Sequence, residues 1–154
     1  VIATADDRRW LAVALAEARA AADVGEVPVG AVVVCDGALV TRAQNRMLRD
    51  EDATAHAEVL ALREAAARLG EARLGRCTLY ITLEPCAMCA GAIVLARVGR
   101  VVFSAWDDKA GMAGSVGDLL RHPKLNHRPQ VLGGVEAAPA ADLLRTFFQD
   151  ARGR

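Results

Sequence analysis

The run CTLYITL, Cys77 to Leu83, is followed by a helical stretch from Pro85 to about Ala96 and then by a second strand-like run, Val98 to Ala105. No other feature restricts the fold as much. A segment this apolar and rich in β-formers reads as a strand buried on both faces. A helix between neighbouring strands returns the chain to the same end of the sheet, so the two strands pair in parallel and the crossover is a βαβ unit.

The flanking segments supply the other layers. Trp10 to Gly25, with Leu11, Ala14, Leu15 and Ala18 at helical spacing, predicts an amphipathic helix ending at Gly25. VGAVVVCDGALVTRA predicts a β-hairpin, its Asp36-Gly37 pair supplying the positive φ angles of a tight turn. A second helix is expected from Thr54, read as its cap, to about Leu69, with Gly70 as its stop. Trp106 to Arg128 reads as loop, Gln130 to Val135 as a short strand, and Ala140 to Arg152 as a closing helix that turns Leu143, Leu144, Phe147 and Phe148 to the core.

At 154 residues, with 53% hydrophobic and 25% charged, the chain is expected to form a single domain, 1–154, able to bury a core without disulfides. Its 19 basic and 19 acidic residues cancel, so no global field draws it to a polyanion, and any nucleic acid must be met by a local patch. The opening VIATADDRRW lacks the pattern of a secretory signal, and no stretch approaches the roughly 20 apolar residues of a membrane helix. A cytoplasmic protein without membrane contact is the expectation. In a reducing compartment its four cysteines point to metal ligation, reactivity or burial rather than disulfides.

His56 and Glu58 stand near one predicted helix start, and Cys86 and Cys89 near another. Positions i and i+2 point to different sides of a helix, so His56 and Glu58 can share a target only beyond its N-terminal end. Cys86 and Cys89, three apart, lie on one face, with Pro85 placed in the first turn and the helix dipole favouring thiolates. One imidazole and two thiolates make three zinc ligands, the number that a catalytic site uses while keeping a position open for water. Glu58 beside that water is a candidate general base. Cys35 and Cys77, in predicted strands, read as small buried hydrophobes; a closed site of four cysteines, leaving His56 idle, conflicts with strand geometry.

His56-Ala57-Glu58 followed by Pro85-Cys86-Ala87-Met88-Cys89 resembles the signature of the zinc-dependent nucleobase deaminases. GEVPVGAVVV, TAHAEVLALREA, LYITLEPCAMCAGAI, DDKAGMAGS and LNHR are similar, over nearly the whole chain, to the bacterial tRNA-specific adenosine deaminases. The resemblance implies a three-layer α/β/α cytidine-deaminase-like fold with a central mixed five-stranded sheet. It also implies a homodimer and hydrolytic conversion of adenosine to inosine at the wobble position of a tRNA anticodon loop. By the same resemblance His56, Cys86 and Cys89 hold one Zn2+ per subunit and Glu58 shuttles protons. Asn45 and the backbone of Ala57 contact the base, Val27 and Pro28 line the pocket, and Asp107, Lys109 and Arg121 to Arg128 face the RNA. Ala53, Ser104 and Trp106 depart from the family pattern without touching the ligand set. Deamination of free cytosine or guanine is the alternative reaction, and a non-catalytic zinc-stabilised binding module the alternative class.

Overall fold

The computed structural model describes residues 2–152. Its elements are α1 (Ala5–Asp23), β1 (Gly30–Cys35), β2 (Ala38–Gln44), α2 (Ala57–Leu69), β3 (Cys77–Leu83), α3 (Ala87–Leu95), β4 (Arg100–Ala105), β5 (Gln130–Leu132) and α4 (Ala137–Arg152). The five strands form one sheet in the order β2-β1-β3-β4-β5. β1 is antiparallel to β2 and β3, while β3–β4 and β4–β5 are parallel. The parallel β3–α3–β4 crossover is the one expected from sequence. Asp36 and Gly37 turn the β1–β2 hairpin with φ of 53° and 79°, the left-handed pair a two-residue hairpin loop requires.

Alternate residues of the inner strands feed two cores. Val33, Leu79, Ile81, Val101 and Phe103 pack with Ala61, Ala65, Ala90 and Ile93 of α2 and α3, while Val32, Val34, Tyr80 and Val102 pack with Trp10, Leu11 and Ala14 of α1. The result is three layers. α1 is tied down by a buried carboxylate: Arg100 donates to both oxygens of Asp7 at 2.6 and 2.8 Å, and the Tyr80 hydroxyl donates to it at 2.8 Å. These bonds, the Arg100 ones foremost, hold the Asp7 carboxyl well below the usual range.

Four local expectations are corrected. α1 begins at Ala5, because Thr4 and Asp7 close a reciprocal capping box ahead of Trp10. Thr54 does not cap α2; its N–H and hydroxyl both donate to Asp52, and His56 takes the N-cap position. Pro85 precedes the N-cap Cys86 of α3 rather than sitting in the first turn. Phe148 is not a core residue: α4 buries only Ala140 completely and leaves Phe148 exposed.

Candidate metal centre and substrate pocket

Helices α2 and α3 start beside each other, on the same face of the sheet. Because His56 is the N-cap of α2 and Cys86 the N-cap of α3, both residues have extended backbone and direct their side chains past the helix ends. His56 Nδ1 lies 3.7 Å from Cys86 Sγ and 3.5 Å from Cys89 Sγ. All three donor atoms fall within 4.8 Å of one another. Zinc–sulfur bonds of about 2.3 Å and zinc–nitrogen bonds of about 2.0 Å at tetrahedral angles separate the ligand atoms by about 3.5 Å. The donor set therefore fits zinc in both chemistry and spacing.

The electrostatics agree. Hydrogen bonds from Cys89 and His56 pull the Cys86 thiol down to about 3, and Cys86 in turn raises His56. Cys89, bonded to the same thiolate and buried, is pushed up. A divalent cation replaces these shared protons when the ligands bind it. Cys35 and Cys77 are a cross-strand pair at the opposite end of β3, buried and apart from this cluster. The four-cysteine alternative is thereby excluded.

Glu58, in the first turn of α2, is 4% exposed. Burial is the dominant influence and drives its carboxyl above the ordinary value; its own backbone N–H, Cys89 and the charge of His56 offset part of that. A buried carboxyl whose ordinary preference for ionisation is weakened in this way is suited to accept and return a proton. It shares a cavity of about 190 Å3 with Val27, Val29, Asn45, Met47, His56, Ala57, Leu83, Glu84, Cys86, Asp107 and Ala110. Drug-sized ligands occupy roughly 300–1,000 Å3, so this cavity is scaled to a smaller body such as a single base.

The sequence-selected residues divide between this cavity and its surroundings. Val27, Asn45, Ala57 and Asp107 line it. Pro28, although buried, does not. Lys109 is in the adjoining groove, about 760 Å3, with Trp106, Arg145, Phe148 and Arg152, and that groove meets the cavity at Val27, Leu83, Asp107 and Ala110. Within Arg121 to Arg128, Arg121 pairs with Asp118 and Arg128 donates to the carbonyls of Pro123 and Leu125, so both cations help shape their own loop.

Besides Asp7, two buried carboxylates near the cavity escaped the sequence reading. Glu84 is 1% exposed and accepts from the N–H groups of Asp107, Ala113 and Ser115 and from the Ser115 hydroxyl. Burial pushes its carboxyl up, but those donors outweigh it and leave the carboxyl below its ordinary value. A Cβ on Gly111 would sit 2.3 Å from the Glu84 carboxyl, so the loop can wrap it only with glycine there. Glu26 is fully buried and accepts from Leu48 and Arg49. Their signal in the sequence was an acid set inside an apolar run next to proline, VGEVPVG and TLEPC.

Comparison with known proteins agrees with this geometry. A family profile described as MafB19-like deaminase matches residues 5–152. A tRNA-specific adenosine deaminase of Bacillus subtilis is 44% identical over 146 residues, 95% of this chain and 91% of that protein. A tRNA(Ile)-lysidine synthase of Deinococcus radiodurans is 53% identical over 142 residues, 92% of this chain but only 24% of that protein. A solved structure from a study of A-to-I editing by tRNA:A34 deaminases superimposes with a TM-score of 0.86 at 42% identity, covering 89% of this chain and 99% of that one. The chain belongs to the MafB19-like deaminase family and, within it, to the tRNA-specific adenosine deaminases.

Proposed function

We propose that this protein converts adenosine to inosine at the wobble position of a tRNA anticodon by hydrolytic deamination. The observation that carries the reading is Glu58: a buried carboxyl with a raised pKa that lines one cavity with His56 and Cys86, two members of a clustered set of three zinc-type donors completed by the buried Cys89. His56, Cys86 and Cys89 would hold Zn2+, which when bound supplies the Lewis acidity that makes water a nucleophile near neutral pH.

The remaining work belongs to the chain. Glu58 takes a proton from the attacking water and delivers it to adenine N1, which makes C6 electrophilic. Once the water oxygen has added to C6, Glu58 takes the second proton from the new C6 hydroxyl and gives it to the departing amine, so that ammonia leaves and C6 becomes the carbonyl of inosine. Asn45 presents an amide to the base, and Ala57, first residue of α2, offers one of the N–H groups that a helix start leaves without an internal partner. A stacked base cannot enter such a cavity, and an unpaired anticodon nucleotide is cheaper to splay out than a duplex one. The groove of Trp106, Lys109, Arg145, Phe148 and Arg152 receives the flanking nucleotides, with Asp107 at the junction.

The same reading makes the chain a single deaminase domain working in the cytoplasm as a homodimer. α3 supports the dimer, because Leu95 is 82% exposed beside a groove of Val59, Leu62, Ala92 and Ala96. Among the described residues no helix is long and apolar enough to cross a membrane. The test is incubation with an anticodon stem-loop carrying a wobble adenosine, and separately with free guanine and cytosine, with zinc content measured alongside. Inosine in the RNA, read as guanosine on sequencing, is expected. Ammonia from a free base with the RNA unchanged overturns the reading.

A further inference from the structure

We infer that Glu26 and Arg49 are positioning residues that orient Asn45 toward the substrate base; the inference rests on Asn45 contacting the base as proposed above. Neither residue lines the cavity, yet their near neighbours Val27, Asn45 and Met47 do. Glu26 sits between α1 and β1, and its carboxylate reaches across to the segment after β2. Leu48 N–H donates to it at 3.0 Å, Arg49 N–H at 2.9 Å and Arg49 Nε at 3.1 Å. The far end of the same guanidinium donates to the backbone carbonyl of Asn45 at 2.8 Å and to the Gln44 side chain at 3.0 Å.

The Asn45 amide depends on the two segments that this bracket joins. Its Oδ1 accepts from Met47 N–H at 3.2 Å, its Nδ2 donates to the Val27 carbonyl at 3.4 Å, and its own backbone N–H donates to the Val29 carbonyl at 3.1 Å. An amide has two donor hydrogens and two acceptor lone pairs. These bonds fix which end is oxygen and leave one hydrogen and one lone pair for a ligand. If the segment from Arg46 to Arg49 moves relative to Val27, the amide can no longer keep its contacts to Met47 and Val27 at once, and the free hydrogen no longer points at a fixed place. Misplacement of this kind is costly in catalysis because productive geometry is narrow. The Arg49 guanidinium is planar and rigid, so it can grip a buried carboxylate with one edge and the Asn45 carbonyl with the other.

A bracket that only stabilises the fold would lower activity regardless of what stands at position 45. One that works through the amide loses its effect when the amide is gone. The experiment is therefore a cycle on the zinc-loaded protein with the wobble-adenosine stem-loop, using Arg49→Met, which changes a partly exposed side chain, and Glu26→Gln, each alone and combined with Asn45→Ala. Arg49→Met is expected to lower kcat about tenfold, the coupling typical of residues in one hydrogen-bond network. KM should change little, since phosphate contacts elsewhere dominate RNA affinity. In the Asn45→Ala background the further loss should be under about twofold. A full, additive loss in that background overturns the inference, as does an Arg49→Met protein with unchanged kcat. If Asn45→Ala alone is as active as the parent, the base-contact reading of Asn45 falls first and takes this inference with it. Should Glu26→Gln fail to fold, the Arg49 half of the cycle decides.

Discussion

Glu58 and Glu84 line the same cavity and are buried to nearly the same degree, yet they end in opposite electrostatic states. At the helix tips, Glu58 lacks enough donors to offset its desolvation, and its carboxyl rises above the ordinary range. Under the loop from Asp107 to Ser115, Glu84 gathers three backbone N–H groups and a hydroxyl, and its carboxyl falls below that range. Depth of burial alone therefore does not mark a reactive acid. The number of donors around it does: a carboxylate saturated with hydrogen bonds is a fastener, and one left short of them is able to move protons.

The largest expected effect is on Glu58. Glu58→Gln keeps size and shape but cannot carry a proton, so the rate of inosine formation should fall about 10²–10⁴-fold. Zinc content should be unchanged. Stability at neutral pH should match or exceed that of the parent, because a desolvated charge has been removed. An unfolded Glu58→Gln protein would make Glu58 a fastener too and erase the contrast. Glu84→Gln is the converse. It places an amide donor among groups that are themselves donors, and a buried donor left without an acceptor costs about 1–3 kcal/mol. Denaturant unfolding should show a loss of about 2–4 kcal/mol, with activity per folded molecule reduced far less than in Glu58→Gln.

This contrast also marks what could be read before the structure. The metal cluster was legible because ligand chemistry is carried by residue type and spacing: His56, Glu58, Cys86 and Cys89 have few other reasons to share an ordered pattern. The sheet was legible because β3, α3 and β4 follow one another with unmistakable changes of period. The bracing was not. Glu26 and Glu84 act through backbone N–H groups of segments 22 to 31 residues away, and every residue but proline carries such a group, so their partners leave no mark in the sequence. The misplaced cap has a similar origin. Thr54 is as good an N-cap as any by residue type, but it is folded back onto Asp52 in a local turn and the helix starts two residues later at His56, whose N-cap position brings the imidazole to the cysteines.

Acid titration sharpens the comparison without relying on activity. Glu84 has a folded pKa below its unfolded value, so its stabilisation is present above about pH 4.3 and is lost as pH falls through the depressed folded value. Glu58 has a raised folded pKa. Its contribution is complete below about pH 4.3 and is lost as pH climbs through the folded value. Because His56, Cys86 and Cys89 act directly on the Glu58 carboxyl, the comparison is made on zinc-free protein. Thermal unfolding followed from pH 7 downward should show the two variants converging on the parent from opposite sides, Glu58→Gln from above and Glu84→Gln from below. The first should converge before about pH 4.3 and the second after it. Convergence of both from the same side would mean that the two carboxyls do not differ in the way their surroundings imply.

The smallest expected effect tests whether Glu84 is held by many bonds or by one. Ser115→Ala deletes the hydroxyl donor but leaves the Ser115 N–H at 3.0 Å, the Ala113 N–H at 3.0 Å and the Asp107 N–H at 2.9 Å in place. Each carboxylate oxygen keeps a donor, so the loss should be that of a single hydrogen bond, about 1 kcal/mol in denaturant unfolding, with kcat nearly unchanged. If Ser115→Ala instead costs as much as Glu84→Gln, the hydroxyl and not the ring of amides fastens the loop. The carboxylate would then owe its low pKa to one neighbour, and the distinction from Glu58 would rest on a single side chain.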